Sequence, residues 1–325
     1  MRILIKGAGV AGLTAAYALT GRGFGVEVAE ISATIGLGAS HFAGGMLAPW
    51  CEGESAHTKV VEAGRMSIDW WDEVLPGLVK RNGTLVVAPS RDVAELERFA
   101  SRTSNFKWMD EVDIAGLEPA LEGRFKRGLY FPEEAQIDPR AALTGLYQRL
   151  QAMGVQFHFA AASIPQKAYD RVVDCTGSAA IPSGPSLRGV RGEMLYLRTR
   201  EIALSRPIRL LHPRIPLYIA PQSDGRFMVG ATMIESDHAG PITARSLMEL
   251  LNAAYALHPS FGEAEVIETG TGVRPAYQDN IPKISGTGNT LSINGMYRHG
   301  FLMAPVLAEE LASLLSGQNL AREAS

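Results

Sequence analysis

The sequence of 325 residues contains only two cysteines, Cys51 and Cys175. Two thiols so far apart cannot form the disulfide framework of a small secreted protein or a zinc site built from cysteine pairs. The motifs of nucleophile-elbow hydrolases, Walker-loop nucleotide hydrolases and zinc metalloproteases are also absent. The sequence therefore indicates no metal catalysis.

The chain also has little excess charge and no long apolar run. Its formal net charge is −3, whereas a nucleic-acid-binding protein usually carries a basic excess. No uninterrupted apolar stretch reaches the roughly 18 residues of a membrane-spanning helix, and the N-terminus shows no signal-peptide core. We therefore expect no nucleic-acid partner, no membrane association and a cytoplasmic location.

The N-terminus carries a strand–helix–strand pattern. An apolar strand, an Ala- and Leu-rich helix and a second strand are predicted at residues 2–6, 13–20 and 24–29. Gly7, Gly9 and Gly12 lie between the first strand and the helix, where they permit a tight turn, the approach of a pyrophosphate and close packing. Glu30 ends the second strand, where a carboxylate can bind ribose hydroxyls. The pattern predicts a dinucleotide, and the motif alone leaves FAD and NAD open.

Two later segments favour FAD. The run 38–47 is rich in small residues and could pass close to a large flat ring. The run 174–177 repeats the turn from a strand into a glycine, and an NAD-binding domain does not need this second approach. We therefore expect FAD.

The rest of the chain has α/β patterns at both ends and a strand-rich middle. Helices are predicted at 57–79, 91–103, 139–152, 243–257 and in the last part of the chain up to about residue 316. Strands are predicted at 84–89, 154–159 and 171–174, and an antiparallel sheet at 190–199, 207–212, 216–221 and 226–232. Residues 104–137 show an irregular pattern, and a loose tail is expected after Gly317.

Several motifs, in this order, resemble those of the FAD-dependent D-amino-acid oxidase superfamily and, within it, the glycine oxidases of thiamine biosynthesis. They are the Gly7–Gly12 loop with Glu30, Ala43-Gly44-Gly45-Met46-Leu47, Arg191-Gly192-Glu193, Tyr218-Ile219-Ala220-Pro221, Gly230-Ala231-Thr232-Met233, Arg274-Pro275 and the run from Arg298 to Pro305. One motif departs from the family. Glycine oxidases would have His-Phe-Arg-Asn-Gly where this chain has Met296-Tyr297-Arg298-His299-Gly300.

The resemblance implies an α/β fold with a Rossmann-like FAD-binding domain built from the separated segments 1–80, 136–187 and 266–325. A second, α+β substrate-binding domain, 81–135 and 188–265, would carry a largely antiparallel sheet. The FAD would be non-covalent, because the related sarcosine oxidases attach it through a cysteine near the position of Arg274, where this chain has none. Cofactor contacts are expected from Gly7, Gly9, Gly12, Glu30, Ser40, Ala43, Gly44, Gly45, Met46, Thr176, Gly177, Arg298, Gly300, Phe301 and Leu302.

The resemblance also assigns substrate binding and orientation to Arg274, Tyr218 and Arg298. A planar guanidinium matches a carboxylate, and the phenol of Tyr218 would add a second hydrogen bond. Each has an ordinary alternative, since most arginines are solvated and a strand tyrosine is often a core residue. No general base is assigned, because in the family's mechanism the neutral amine gives its α-hydrogen to the cofactor as hydride.

The implied activity is the oxidative deamination of glycine by dioxygen, with hydrogen peroxide as a product and the imine either hydrolysed to glyoxylate or passed to thiazole synthesis. Other substrates of the same fold remain open, namely a D-amino acid or sarcosine, as does an electron acceptor other than oxygen. Alternatives from other classes are a flavin-dependent tRNA-modifying domain and a non-catalytic flavin-binding protein. Family members are often tetramers, so the resemblance leaves a homo-oligomer open, although the sequence shows no interface signature.

Overall fold

Three β-sheets organise the chain in the computed structural model, which describes residues 1–161, 164–183, 186–211 and 217–317. The strands are β1 (Arg2–Lys6), β2 (Gly25–Ala29), β3 (Met46–Leu47), β4 (Val79–Lys80), β5 (Thr84–Val87), β6 (Lys107–Asp110), β7 (Arg127–Phe131), β8 (Ala135–Ile137), β9 (Gln156–His158), β10 (Arg171–Asp174), β11 (Leu187–Arg198), β12 (Ile208–Leu210), β13 (Leu217–Pro221), β14 (Arg226–Gly230), β15 (Ile234–Glu235), β16 (Glu265–Tyr277), β17 (Lys283–Thr287) and β18 (Thr290–Asn294). The α-helices are α1 (Val10–Gly21), α2 (Pro49–Glu52), α3 (Thr58–Gly64), α4 (Met66–Val74), α5 (Val93–Ala100), α6 (Glu111–Leu117), α7 (Pro139–Ala152), α8 (Ala244–Leu257) and α9 (Gly300–Leu315).

The first sheet has six strands in the order β17-β18-β10-β1-β2-β9. All neighbours are parallel except β17, which pairs antiparallel with β18 at the edge. Helix α1 is apolar on all sides and buried along most of its length, because side chains of α7 and α9 join it in the core on this sheet. Since β1, β2 and β10 run parallel, the residues that follow them meet at one edge of the sheet.

The largest sheet follows the path β15-β11-β14-β13-β12-β5-β7-β6, and β16 also pairs with β11. Its pairs are antiparallel apart from β12 with β5. Apolar side chains of α8 and of the sheet form a second core. The third sheet is small, with the order β3-β8-β4. The predicted α/β fold with a parallel sheet and a largely antiparallel sheet is confirmed.

The division into two domains stays a prediction. The strands of the six-stranded sheet come from the segments predicted to bind FAD. Strand β16 pairs with β11 from Glu265 to Tyr277, so residues 266–277 belong to the larger sheet although the prediction gave them to the FAD-binding segments.

The prediction of one helix over 57–79 is wrong in its extent. The segment forms α3 and α4, which are separated at Arg65, and α4 ends at Val74. Leu75 leaves the helical region with φ −131° because it precedes Pro76, whose ring disfavours a helical conformation in the preceding residue.

The stretch 104–137, expected to be irregular, contains β6, α6, β7 and β8. Strand β6 is largely exposed, so it lacks the apolar pattern that sequence reasoning needs. Helix α6 begins with a capping box between Asp110 and Asp113. Residues 212 and 216, at the ends of two predicted strands, and the tail after Gly317 lie outside the described residues.

In the part of the chain that the structure describes, no helix has the length and apolar character needed to cross a membrane.

Candidate active site

A cavity of about 650 Å³ is lined by the carboxyl edge of the six-stranded sheet, by the largest sheet and by the N-terminus of α9. This volume is typical of cofactor and ligand sites. All of the predicted site residues except Gly12 line it. They are Gly7, Gly9, Glu30, Ser40, Ala43, Gly44, Gly45, Met46, Thr176, Gly177, Tyr218, Arg274, Arg298, Gly300, Phe301 and Leu302.

The turn between β1 and α1 and the first turn of α1 have no room for side chains at Gly7 and Gly12. Gly7 has a φ of +100°, and a Cβ there would lie 2.5 Å from the carbonyl oxygen of Cys175. A Cβ on Gly12 would lie 1.9 Å from the carbonyl oxygen of Gly7, so Gly12 permits close packing and does not face the cavity. Helix α1 begins without a side-chain cap, and the N–H of Val10 donates to Ser40 Oγ at 3.1 Å. Close backbone and the positive end of a helix dipole suit a pyrophosphate.

Glu30 follows β2 at the same edge of the sheet. Its Oε2 accepts a hydrogen bond from the N–H of Ala8 at 2.7 Å, and its Oε1 accepts one from the N–H of Ser32 at 2.9 Å. These two bonds fix the carboxylate, and each oxygen keeps acceptor capacity for a further donor. The position therefore suits the ribose hydroxyls of an adenosine.

The segment before β3 lines another part of the cavity with its backbone and with small side chains. A Cβ on Gly45, whose φ is +72°, would lie 1.8 Å from the carbonyl oxygen of Ile137, and a Cβ on Gly44 would lie 2.7 Å from the sulfur of Met46. Residues 300–302 begin α9 at the cavity, and α9 has no side-chain cap. The positive end of its dipole therefore favours negative charge there. The residues present fit an FAD, with a phosphate cradle, a ribose carboxylate and a pocket for a flat ring.

Arg274 on β16 is a cation without a carboxylate partner among the described residues. Its Nη1 donates to the carbonyl oxygen of Thr232 at 3.2 Å. Burial, and then the nearby charge of Arg298, lowers the pKa of Arg274 to about 10. The guanidinium stays protonated at neutral pH, and Gly192 leaves it space, since a Cβ there would lie 2.2 Å from Arg274 Nη2. A planar, charged donor without a carboxylate partner among the described residues suits a carboxylate ligand.

Tyr218 on β13 is 4% exposed and lines the cavity. Its direct neighbour across the strands is Arg209 on β12, whose Nη1 donates to Tyr218 Oη at 2.9 Å. Burial raises the pKa of Tyr218 well above its usual value, so the phenol stays protonated. Among the described residues its O–H has no acceptor, which leaves the proton available to a ligand.

Arg298 lies at the cavity but is already paired. Its Nη2 donates to Oε1 of Glu52 at 3.0 Å, and Nδ1 of His299 lies 3.3 Å from Oε2 of Glu52. Burial alone would raise the pKa of Glu52, but the charge of Arg298 and the contact with His299 hold that pKa below its usual range. The charges of Glu52 and Arg298 therefore balance, and Arg274 remains the uncompensated charge of this group.

Sequence reasoning missed three charged residues at this end of the cavity. Glu52 and Glu54 follow the small-residue run, and Arg209 interrupts the apolar strand β12. A charged residue within a buried strand was a usable signal, because buried charges are rare unless they are paired. The partners, however, come from distant segments and were not visible in the sequence.

The chain is similar to known flavoproteins. The family model described as FAD dependent oxidoreductase matches residues 2–314. A protein of Rhizobium etli named putative thiamine biosynthesis oxidoreductase ThiO is 60% identical over 315 residues, which are 97% of this chain and 96% of the relative. The crystal structure of glycine oxidase from Geobacillus kaustophilus matches with a TM-score of 0.82 at 22% identity, over 98% of this chain and 96% of the other. The structure of iminodiacetate oxidase from Chelativorans sp. BNC1 also gives a TM-score of 0.82, at 23% identity and with the same coverage.

Proposed function

Because the chain belongs to the family of FAD dependent oxidoreductases, we propose that it oxidises the Cα–H of a small amino acid, and that this amino acid is glycine. The products are the imine of glyoxylate and hydrogen peroxide, with dioxygen as the electron acceptor. Water then converts the imine to glyoxylate and ammonia unless the imine is used first. FAD is the cofactor, and when bound it supplies the hydride acceptor.

The observation that carries this proposal is the uncompensated charge of Arg274. Glu52 neutralises Arg298 at 3.0 Å, and Glu54 lies 2.7 Å from Arg209, so one positive charge remains to bind an anion. A substrate with one carboxylate balances it. A dicarboxylate would leave its second charge without a cation, and leaving a buried charge unpaired is costly.

The residues of the chain bind and orient this substrate. Arg274 would hold the carboxylate through its planar fork, and the neutral phenol of Tyr218 would donate a second hydrogen bond to it. Two fixed donors restrict the rotation of a molecule as small as glycine, and such orientation lowers the barrier of the following step. We assign to Arg298 a place beside the substrate, where Glu52 cancels its charge.

The crowding of the same site supports a small substrate, and a similar protein supports a proposal for the fate of the imine. The side chains of Met46 and Met228 pack closely against the backbone of Gly44 in the cavity wall, since a Cβ on Gly44 would lie within 3 Å of both. This crowding supports a substrate without a large side chain. The 60% identity with a protein named for thiamine biosynthesis supports the further proposal that the imine is passed to thiazole synthesis.

The test is an anaerobic titration of the FAD-loaded protein with glycine, followed by the visible absorbance of the flavin. We expect glycine to bleach the absorbance and air to restore it with one hydrogen peroxide per glycine. D-alanine, D-proline, sarcosine and iminodiacetate are the comparison substrates. A protein that is bleached faster by one of these than by glycine would contradict the substrate assignment while leaving the FAD chemistry intact.

A matched variant tests the carboxylate site. Arg274→Met keeps much of the length of the side chain and removes the charge, and the loss of one partner of a buried, hydrogen-bonded charge pair costs about 2–5 kcal/mol. We expect kcat/KM for glycine to fall at least about 30-fold, which follows from ~1.4 kcal/mol per factor of ten. FAD content should be unchanged.

A gel-shift assay with tRNA tests the tRNA-modifying alternative. The cytoplasmic location and the homo-oligomer remain predictions.

A further inference from the structure

Arg209 is a charged residue in a buried position. It is 1% exposed in the middle of β12, where an ionised group is costly unless it is paired and hydrogen-bonded. Its Nη2 donates to Oε2 of Glu54 at 2.7 Å, and its Nη1 donates to Tyr218 Oη at 2.9 Å. The contact of Nη1 with the carbonyl oxygen of Cys51 is longer, at 3.5 Å.

Two aromatic rings lie beside this guanidinium. The Cζ of Arg209 lies 4.8 Å from the ring centroid of Phe99 and 5.2 Å from that of Tyr218. Both distances are within the range of cation–π attraction. Arg209 also lies directly opposite Tyr218 in the strand register, so the two side chains lie on the same face of the sheet.

The direction of the hydrogen bond has a chemical consequence. A guanidinium can only donate, so Tyr218 Oη must accept. The phenol proton is then excluded from the side of Arg209. Since Tyr218 has no acceptor for this proton among the described residues, the O–H is available on the cavity side.

We propose that Arg209 is a positioning residue that makes Tyr218 a hydrogen-bond donor toward the cavity. The inference rests on the proposed function, because the acceptor is the carboxylate of the substrate. Without Arg209 the phenol can rotate and present a lone pair to the anion. The carboxylate then loses a charge-assisted hydrogen bond, and we expect its binding to weaken about tenfold or more.

The experiment is a double-mutant cycle on the FAD-loaded protein. Arg209→Met and Tyr218→Phe are made singly and together, and acetate, a monocarboxylate that cannot be oxidised, is titrated by calorimetry. The proposal expects each single variant to bind acetate about tenfold more weakly, and the double variant to bind no more weakly than Tyr218→Phe. Fully additive effects would overturn it, because they would show that Arg209 acts without Tyr218.

A control separates positioning from simple support of the fold. Glu54→Gln removes the ion pair of Arg209 and leaves the bond from Arg209 to Tyr218 in place. We expect this variant to bind acetate at least as tightly as the wild type, because the uncompensated charge of Arg209 favours an anion, and an equal loss in Glu54→Gln and Arg209→Met would refute the positioning role. If Arg209→Met does not retain FAD, Arg209→Gln replaces it in the same cycle, because its amide oxygen can accept the phenol proton and so no longer fixes the direction of the hydrogen bond.

The wild-type titrations distinguish failure of the proposed function from failure of the role of Arg209 alone. If wild-type protein binds no acetate and glycine does not bleach its flavin, the proposed function fails and the inference fails with it. If wild-type protein binds acetate but the cycle is additive, only the role of Arg209 fails.

Discussion

The substitution Gly192→Ala should separate substrate binding from folding. Gly192 lies on β11 opposite Gly272 of β16, and a Cβ built on it would lie 2.2 Å from Nη2 and 2.4 Å from Cζ of Arg274. Both atoms belong to the end of a long side chain. The clash can therefore be relieved by moving the guanidinium, without moving the strands.

The size of the effect follows from that movement. Ordinary contacts begin near 3.4 Å, so the guanidinium must shift by about 1 Å, and a displacement of about 1 Å in a positioning group can cost roughly 100-fold in rate. We expect kcat/KM for glycine to fall by about that factor, with acetate affinity falling in parallel. The melting temperature and the FAD content should remain close to the wild-type values, because alanine is less disfavoured in a strand than the glycine it replaces.

The Arg274→Met variant provides a direct control for Gly192→Ala. There the guanidinium is absent, so adding Gly192→Ala should cause no further loss of acetate affinity. The explanation would be refuted if Gly192→Ala reduced acetate binding equally in both backgrounds, since the methyl group would then act on something other than Arg274. It would also be refuted if the single variant bound acetate as the wild type does.

Two further predictions concern FAD retention and pH. In Gly12→Ala the new Cβ would lie 1.9 Å from the backbone oxygen of Gly7, and no side-chain rotation can relieve this clash. We therefore expect a purified protein without flavin absorbance and with a lower melting temperature. The control Gly21→Ala, in the same helix and with no atom within 4 Å of its Cβ, should keep the flavin absorbance and the wild-type melting temperature. Burial raises the pKa of Glu134 from 4.5 to about 7. The folded state therefore keeps a proton that the unfolded state loses between these pH values, and stability falls as pH rises through this window, by up to about 3 kcal/mol. Glu134→Gln should flatten this fall in thermal denaturation measured from about pH 4 to pH 8, and an unchanged slope would show that Glu134 is not its source.

The nucleotide end of the cavity could be predicted because its determinants are local in sequence. Gly7 lies in the turn after β1, Gly12 lies in the first turn of α1 against the backbone of Gly7, and Glu30 follows the next strand. A parallel pair of strands with a helix between them has one handedness, so the short stretch from β1 to β2 fixes where these residues meet. The predicted residues Gly7, Gly9 and Glu30 therefore line this end of the cavity, whereas Gly12 packs against Gly7 and does not line it.

The substrate end depends on pairings that no local pattern specifies. Arg298 and Glu52 are 246 positions apart, and Arg209 reaches Glu54 across 155 positions. Motifs placed Arg274, Tyr218 and Arg298 at the site, but they could not show that Glu52 cancels one of the positive charges. The charge that remains is a property of the folded arrangement, and in the proposed function it limits the substrate to one carboxylate. Specificity for a monocarboxylate therefore has to be argued from the ion pairs, even where the family of the chain is evident from its motifs.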